Sequence, residues 1–177
     1  NDCGNLLWNI YVYTYITNNI IMKLEDEIKQ KSFKNPYQKL MVNILYTGSW
    51  LGLMEANYLK VHGLTLPQFN VLRILRGQYP APVTVNDIID RMLDKSSNAS
   101  RIIDKLTSKN LAERKVCKKD KRAVDVLITK RGLSLLSELD KELPKWEKRV
   151  KTLSRSEAEK LNELLDKVRD CPIKDLK

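Results

Sequence analysis

The chain has 177 residues, with 32 lysines and arginines against 22 aspartates and glutamates and a net charge of +10. That length suits one domain, or one domain with an appendage, and 42% hydrophobic with 31% charged residues can build a core beneath a solvated surface, which excludes wholesale disorder. One histidine and three scattered cysteines (Cys3, Cys117, Cys171) exclude a zinc ribbon and a disulfide-dense secreted miniprotein, and the isolated thiols suit a reducing, cytoplasmic setting.

The excess positive charge calls for a polyanionic partner, nucleic acid first and a membrane surface second. It is unevenly spread. Residues 1–22 contain no lysine or arginine and a single acid, Asp2, so all 32 basic residues lie from Lys23 onward. Within the extension, the apolar stretch Leu6–Ile21 is interrupted by Asn9, Thr14, Thr17, Asn18 and Asn19. It is too short and polar to span a bilayer, and it lacks the basic start of a signal peptide. We therefore divide the chain into an extension, 1–22, and a single domain, 23–177. Met22 is the first methionine. One reading makes it the natural start, with the preceding residues non-native or a misassigned start; the other packs the extension on the rest.

Asn35 with Pro36 spells a helix start, and the next stop is Gly63, so the first long helix covers about 35–62. Its apolar residues, among them Tyr37, Leu40, Met41, Ile44, Leu45, Trp50, Leu51, Met54 and Tyr58, are too many for one stripe, which predicts burial against its own core and against a second subunit. Gly48 and Gly52 are either a close-approach site for another helix or two tolerated glycines. Three short helices follow. Thr65 with Gln68 has capping-box spacing, Thr84 with Asp87 opens the second helix, and the third runs Asp94 to Asn110 with Asp94 or Ser96 as cap and Ala99, Ile102, Ile103 and Leu106 on its buried face. Two strands, Leu111–Val116 and Ala123–Ile128, enclose a charged turn, 117–122. Thr129 caps a further helix in which Leu136, Leu139, Leu143, Trp146, Val150 and Leu153 keep a 3-4-3-4-3 spacing, a heptad seam that Pro144 should kink or divide. Ser154 with Glu157, or Ser156 with Glu159, opens the last helix, with Leu161, Leu164, Leu165 and Val168 on one face.

The third short helix carries the chemistry. Opposite its apolar face lie Ser97, Arg101, Asp104 and Ser108, flanked by Ser100 and Lys105. Small polar side chains let a helix enter the major groove, where Asn98 can read adenine and Arg101 guanine or a phosphate. The alternative is an amphipathic helix with a merely solvated face. The hairpin weighs against that. Residues 101–131 hold eleven basic against four acidic residues, seven of the ten excess charges, with Lys118 and Lys119 placed for phosphates and Arg122 for a narrow minor groove, its direction fixed by Asp120. No Gly-rich phosphate loop, nucleophile elbow or Ser/Cys–His pairing is present, so we read a non-enzyme with no cofactor and no metal site.

Three segments, 64–72 (LTLPQFNVL), 96–106 (SSNASRIIDKL) and above all 120–129 (DKRAVDVLIT) with its Lys/Arg-x-Gly helix start, resemble the MarR family of winged-helix transcriptional regulators over about Asn35–Leu165. The resemblance implies a mainly α fold with a small β-hairpin wing, a winged helix-turn-helix at about 64–129 and dimerisation helices at about 35–62 and 130–170. It places DNA contacts on Ser96, Ser97, Asn98, Ser100, Arg101 and Lys105 in the recognition helix and on Lys118, Lys119, Asp120 and Arg122 in the wing. It implies a homodimer on double-stranded DNA, its interface including Leu40, Ile44, Leu136, Leu139, Leu143, Trp146, Leu161, Leu164 and Leu165. It also allows a small aromatic or amphipathic effector, for which Tyr46, Trp50, Met54 and Tyr58 are the candidate lining or else ordinary core.

The sequence departs from the family in places. Asn110 stands where a glycine usually follows the recognition helix, and Leu40-Met41-Val42 occupy the stretch in which the peroxide-sensing branch carries its cysteine. Cys117 beside Lys115, Lys118 and Lys119 is either a thiolate-prone sensor or an incidental thiol. The expected function is a ligand-responsive repressor on a pseudo-palindromic operator, cytoplasmic and without membrane attachment. The rivals are a winged-helix protein-interaction module and a membrane-peripheral basic protein. On this reading Arg122→Ala weakens DNA binding and Leu139→Asp breaks the dimer.

Overall fold

Local side-chain chemistry sets most of the element boundaries. Asn35 Oδ1 accepts a hydrogen bond from the Gln38 amide at 2.9 Å, and Pro36 opens a helix, Pro36–Val61. A proline costs nothing there because the first amides of a helix have no intrahelical partner. The computed structural model describes residues 22–116 and 124–170, and the chain divides into two compact units, 1–61 and 62–177.

In the first unit a single turn, α1 (Leu24–Glu27), precedes the long helix, α2 (Pro36–Val61). Polar contacts link them: Lys39 Nζ donates to Glu25 Oε1 at 2.6 Å and the Tyr46 hydroxyl to Glu27 Oε2 at 2.9 Å. The Lys39 ammonium holds the Glu25 carboxyl below the usual glutamate range. Along 26 residues α2 fully buries only Met54 and Leu59, while Tyr37, Met41, Leu45 and Val61 are exposed.

The second unit contains α3 (Leu66–Gln78), β1 (Val83–Thr84), α4 (Val85–Arg91), α5 (Ala99–Ser108), β2 (Ala112–Val116), β3 (Val124–Ile128), α6 (Lys130–Asp140), α7 (Leu143–Val150) and α8 (Arg155–Arg169). The three strands are antiparallel in the order β1-β3-β2, with Val83 opposite Val126 and Arg114 opposite Val126 from the other side. Val71, Leu72 and Leu75 of α3, Ile88 of α4, Ile103 and Leu106 of α5, Val126 and Ile128 of β3 and Leu136 of α6 are all buried. Each such side chain stabilises by about 1.5–3 kcal/mol relative to exposure. Around this core α3 is tied to the end of α6 by Asp140, which accepts from Arg73 at 2.9 Å and Arg76 at 2.5 Å. Among the described residues no helix is long and apolar enough to cross a membrane.

The expected caps at Thr65, Thr84, Thr129 and Ser154 all form, and Ser154–Glu157 is the capping box that opens α8. Asn110 adopts φ 57°, and the Leu111 amide returns to the Leu106 carbonyl at 2.9 Å. This is the left-handed helix ending for which glycine is the usual residue and asparagine the tolerated one. Gly132 has no substitute: a Cβ there would fall on the Leu111 carbonyl oxygen and within 2.7 Å of Ile128 Cγ1. The glycine of the Lys130-Arg131-Gly132 helix start is therefore set by the close approach of α6 to the ends of β2 and β3.

Three expectations are corrected. The third short helix begins at Ala99, not Asp94, because Asn98 supplies the cap. The sheet has a third strand, β1, which was not expected. The seam from Leu136 to Leu153 is divided at 141–142, as expected of Pro144, which stands in the first turn of α7, but its first two leucines are not where the sequence put them. Leu136 and Leu139, expected at a subunit interface, are 0% and 2% exposed within a single chain and belong to its core.

Candidate nucleic-acid interface

The loop into α5 is built by two competing side-chain caps. Asp94 Oδ1 accepts from the Ser96 amide at 2.9 Å and the Ser96 hydroxyl at 2.6 Å, and Oδ2 accepts from the Ser97 hydroxyl at 2.7 Å. These bonds favour the ionised carboxylate and hold Asp94 below the usual aspartate range. One step later Asn98 Oδ1 accepts from the Arg101 amide at 3.0 Å and starts the helix. From α3, Asn70 Oδ1 braces the end of α4 by accepting from the Leu93 amide at 3.0 Å.

Helix α5 is cleanly two-sided. Ala99, Ile103 and Leu106 face the core, and Ser100, Arg101, Asp104, Lys105 and Ser108 face solvent. Of the expected contacts, Ser100, Arg101 and Lys105 share this exposed side, Ser96 is exposed in the preceding turn and Ser97 is half-buried there. Asn98 is exposed and has a second role that the sequence did not assign to it: its amide oxygen accepts the capping bond of α5, which leaves the amide nitrogen and a second oxygen lone pair to solvent. Among the described residues Arg101 and Lys105 pair with no carboxylate. Lys118, Lys119, Asp120 and Arg122 lie outside the described residues, as does Cys117.

Three other cations of the basic region are engaged by groups of the protein. Arg114 of β2 reaches Asp104 Oδ1 at 2.9 Å and donates to the Ser100 carbonyl at 3.1 Å. Lys109, just past α5, donates to the Gly63 carbonyl at 2.6 Å and to Gln68 Oε1 at 3.0 Å, with Gln68 itself buried. Lys115 pairs with Glu113 of its own strand at 2.7 Å. The sequence counted all three as charge available to a polyanion. The partners of Arg114 and Lys109 lie on other elements, which no local spacing marks, whereas Glu113 and Lys115 are two apart on one face of β2.

The residues assigned to an effector site, Tyr46, Trp50, Met54 and Tyr58, form one i,i+4 row on α2; Met54 is buried, Tyr46 and Tyr58 half-buried and Trp50 exposed. Of the residues assigned to a subunit interface, Leu40 is exposed and Ile44 half-buried on α2, Leu161 and Leu164 are exposed and Leu165 half-buried on α8, and Leu143 and Trp146 lie on α7.

A capped two-sided helix braced by a preceding short helix, followed directly by an antiparallel hairpin whose strand continues into a small sheet, defines a winged helix-turn-helix protein. Comparisons with known proteins narrow the class. The family model described as MarR family matches residues 62–123. The HTH-type transcriptional regulator MhqR of Bacillus subtilis (strain 168) is 31% identical over 108 residues, 60% of this chain and 73% of the relative. The chain belongs to the MarR family of winged-helix regulators.

Among solved structures, a mutant MarR from E. coli complexed with operator DNA is 26% identical with a TM-score of 0.62, covering 85% of this chain and all of that one. The S. aureus MepR–DNA complex has a TM-score of 0.68 at 21% identity, covering 80% of this chain and all of that one. At that identity the likeness speaks for the fold alone.

Proposed function

We propose that the protein is a sequence-specific DNA-binding repressor that acts as a homodimer in the cytoplasm and answers to a small effector. The observation that carries this reading is the exposed face of α5, where Arg101 and Lys105 stand, without carboxylate partners among the described residues, beside small hydroxyl side chains on a helix whose other face is buried. Such a face fits the major groove, and a cation there binds a phosphate or a guanine edge. The solved relative bound to operator DNA supports the assignment.

In this reading residues 23–177 work as one functional domain. Ser96, Ser97, Asn98, Ser100, Arg101 and Lys105 meet one groove, while Lys118, Lys119 and Arg122, aimed by Asp120, follow the adjacent one. Two-fold symmetry sets half-sites about one helical turn apart, roughly 34 Å. The exposed apolar residues of α2 and α8, Leu40, Leu161 and Leu164 among them, supply the subunit contact, joined by Ile44, Leu165, Leu143 and Trp146. An effector near Tyr46, Trp50, Met54 and Tyr58 acts by favouring a spacing of recognition helices that no longer matches successive grooves.

The test is fluorescence anisotropy with DNA from upstream of the protein's own gene, against scrambled DNA of equal length, over a salt series. A preference that survives as salt rises supports sequence readout. Weak binding lost equally on both duplexes would reduce the basic region to nonspecific attraction and overturn the proposal.

A further inference from the structure

Arg114 stands in the segment richest in positive charge, yet its guanidinium is spent on the protein. Its Nη2 lies 2.9 Å from Asp104 Oδ1 and 3.1 Å from the Ser100 carbonyl oxygen. Ser100 and Asp104 are four residues apart and so neighbours on one face of α5, one turn of which the guanidinium grips. Arg114 itself is fixed in β2, opposite Val126 of the central strand, and Val126 is fully buried. A rigid sheet position is thereby joined to the solvent face of the helix. The Asp104 carboxylate is 65% exposed, so the pair contributes little to stability, and what it sets is direction.

We propose that Arg114 is a positioning residue for DNA readout: through Asp104 and Ser100 it holds α5 at a fixed roll relative to the hairpin, so that Arg101 and the hairpin meet the same stretch of DNA. Arg114 itself contacts no phosphate. This rests on the reading of α5 as the recognition helix. It also assigns Asp104 a use on a face meant for a polyanion, where an unpaired carboxylate would only repel.

The two roles open to Arg114 predict opposite results at its partner. If Arg114 were a phosphate ligand restrained by Asp104, Asp104→Asn would remove a negative charge and tighten binding to every duplex, with preference unchanged. If Arg114 positions the helix, Asp104→Asn lowers the preference even though general affinity rises. The experiment measures anisotropy of the full chain on a duplex selected by the wild-type protein from a randomised pool and on a scrambled duplex of equal length, across a salt series, for wild type, Arg114→Gln, Arg114→Lys, Asp104→Asn and the Arg114→Gln/Asp104→Asn double variant. Thermal unfolding by circular dichroism is measured alongside.

The expected result is that Arg114→Gln and Asp104→Asn each reduce the selected-to-scrambled preference about tenfold, the scale of one misread base pair. Arg114→Gln leaves the salt slope unchanged, the double variant is no worse than either single one, and the unfolding midpoints are those of the wild type. Arg114→Lys, which keeps a cation able to donate to both Asp104 and Ser100, retains more of the preference than Arg114→Gln, since one nitrogen makes both contacts. An equal loss on both duplexes with a salt slope about one unit smaller would make Arg114 a phosphate contact and overturn the inference. Wild-type preference in Arg114→Gln would overturn it as well. Absence of any preference in the wild-type protein would instead overturn the reading of α5.

Discussion

Helices α5 and α2 solve the problem of apolar side chains in opposite ways. In ten residues α5 buries Ala99, Ile103 and Leu106 and turns serine, arginine and lysine outward, so its apolar demand is met inside one chain. In 26 residues α2 buries only Met54 and Leu59 and leaves Tyr37, Met41 and Leu45 exposed. The same incompleteness marks α8, none of whose residues is buried and on which Leu161, Leu164 and Val168 are exposed. The difference separates two jobs. A helix finished within the monomer can offer a polar face to DNA, whereas apolar faces left open on α2 and α8 fit the proposed subunit contact.

The contrast breaks first at the buried residues. Ile103→Ala should cost about 2–5 kcal/mol of unfolding free energy, read from urea denaturation, because the cavity opens in the core beneath α5. Leu139→Asp should act on the same property. With Leu139 at 2% exposure the aspartate unfolds the domain, whereas on an exposed seam it would only part the dimer. On the open faces the effect should fall on association: Leu164→Asp should keep the circular dichroism of the wild type while raising the dimer dissociation constant by tenfold or more, about 1.4 kcal/mol, in sedimentation velocity. Wild-type association in that variant would remove α8 from the interface.

On the polar face of α5, Arg101→Ala should weaken binding to the selected duplex by about 1–3 kcal/mol with no change in unfolding midpoint. The smallest effect concerns Asp94. Its carboxyl is held below the ordinary aspartate range by Ser96 and Ser97, so its contribution is present above that range and is lost as pH falls through the lower, folded value. Asp94→Asn should therefore flatten the pH dependence of stability below about pH 4, where an unperturbed aspartate titrates. Identical pH profiles for the variant and the wild type would discount the turn.

How much was legible follows the range of the interaction. Asn35, Thr65, Thr84, Thr129 and Ser154 act on amides within three residues, and each marked its helix correctly. The start of α5 was misplaced because Asp94 and Asn98 are both competent caps four residues apart, and only the geometry shows that Asp94 is occupied with a serine turn. Strand β1 escaped because its two residues owe their conformation to Val126 and Asp125, more than forty positions away. The seam spacing from Leu136 is real, but a break at 141–142 assigns Leu136 and Leu139 to the core and later residues to a separate helix. At the candidate site the residues of α5 were visible from their spacing alone. The inward use of Arg114 and Lys109 was not, because composition counts charges without their partners.

The most direct test of the central claim, that two copies of α5 read DNA together, is hydroxyl-radical footprinting of the wild-type protein on its selected duplex. Two protected tracts related by a two-fold axis are expected, their centres about one helical turn apart, roughly 10–10.5 base pairs. A single protected tract, or protection without a fixed position, would contradict that claim.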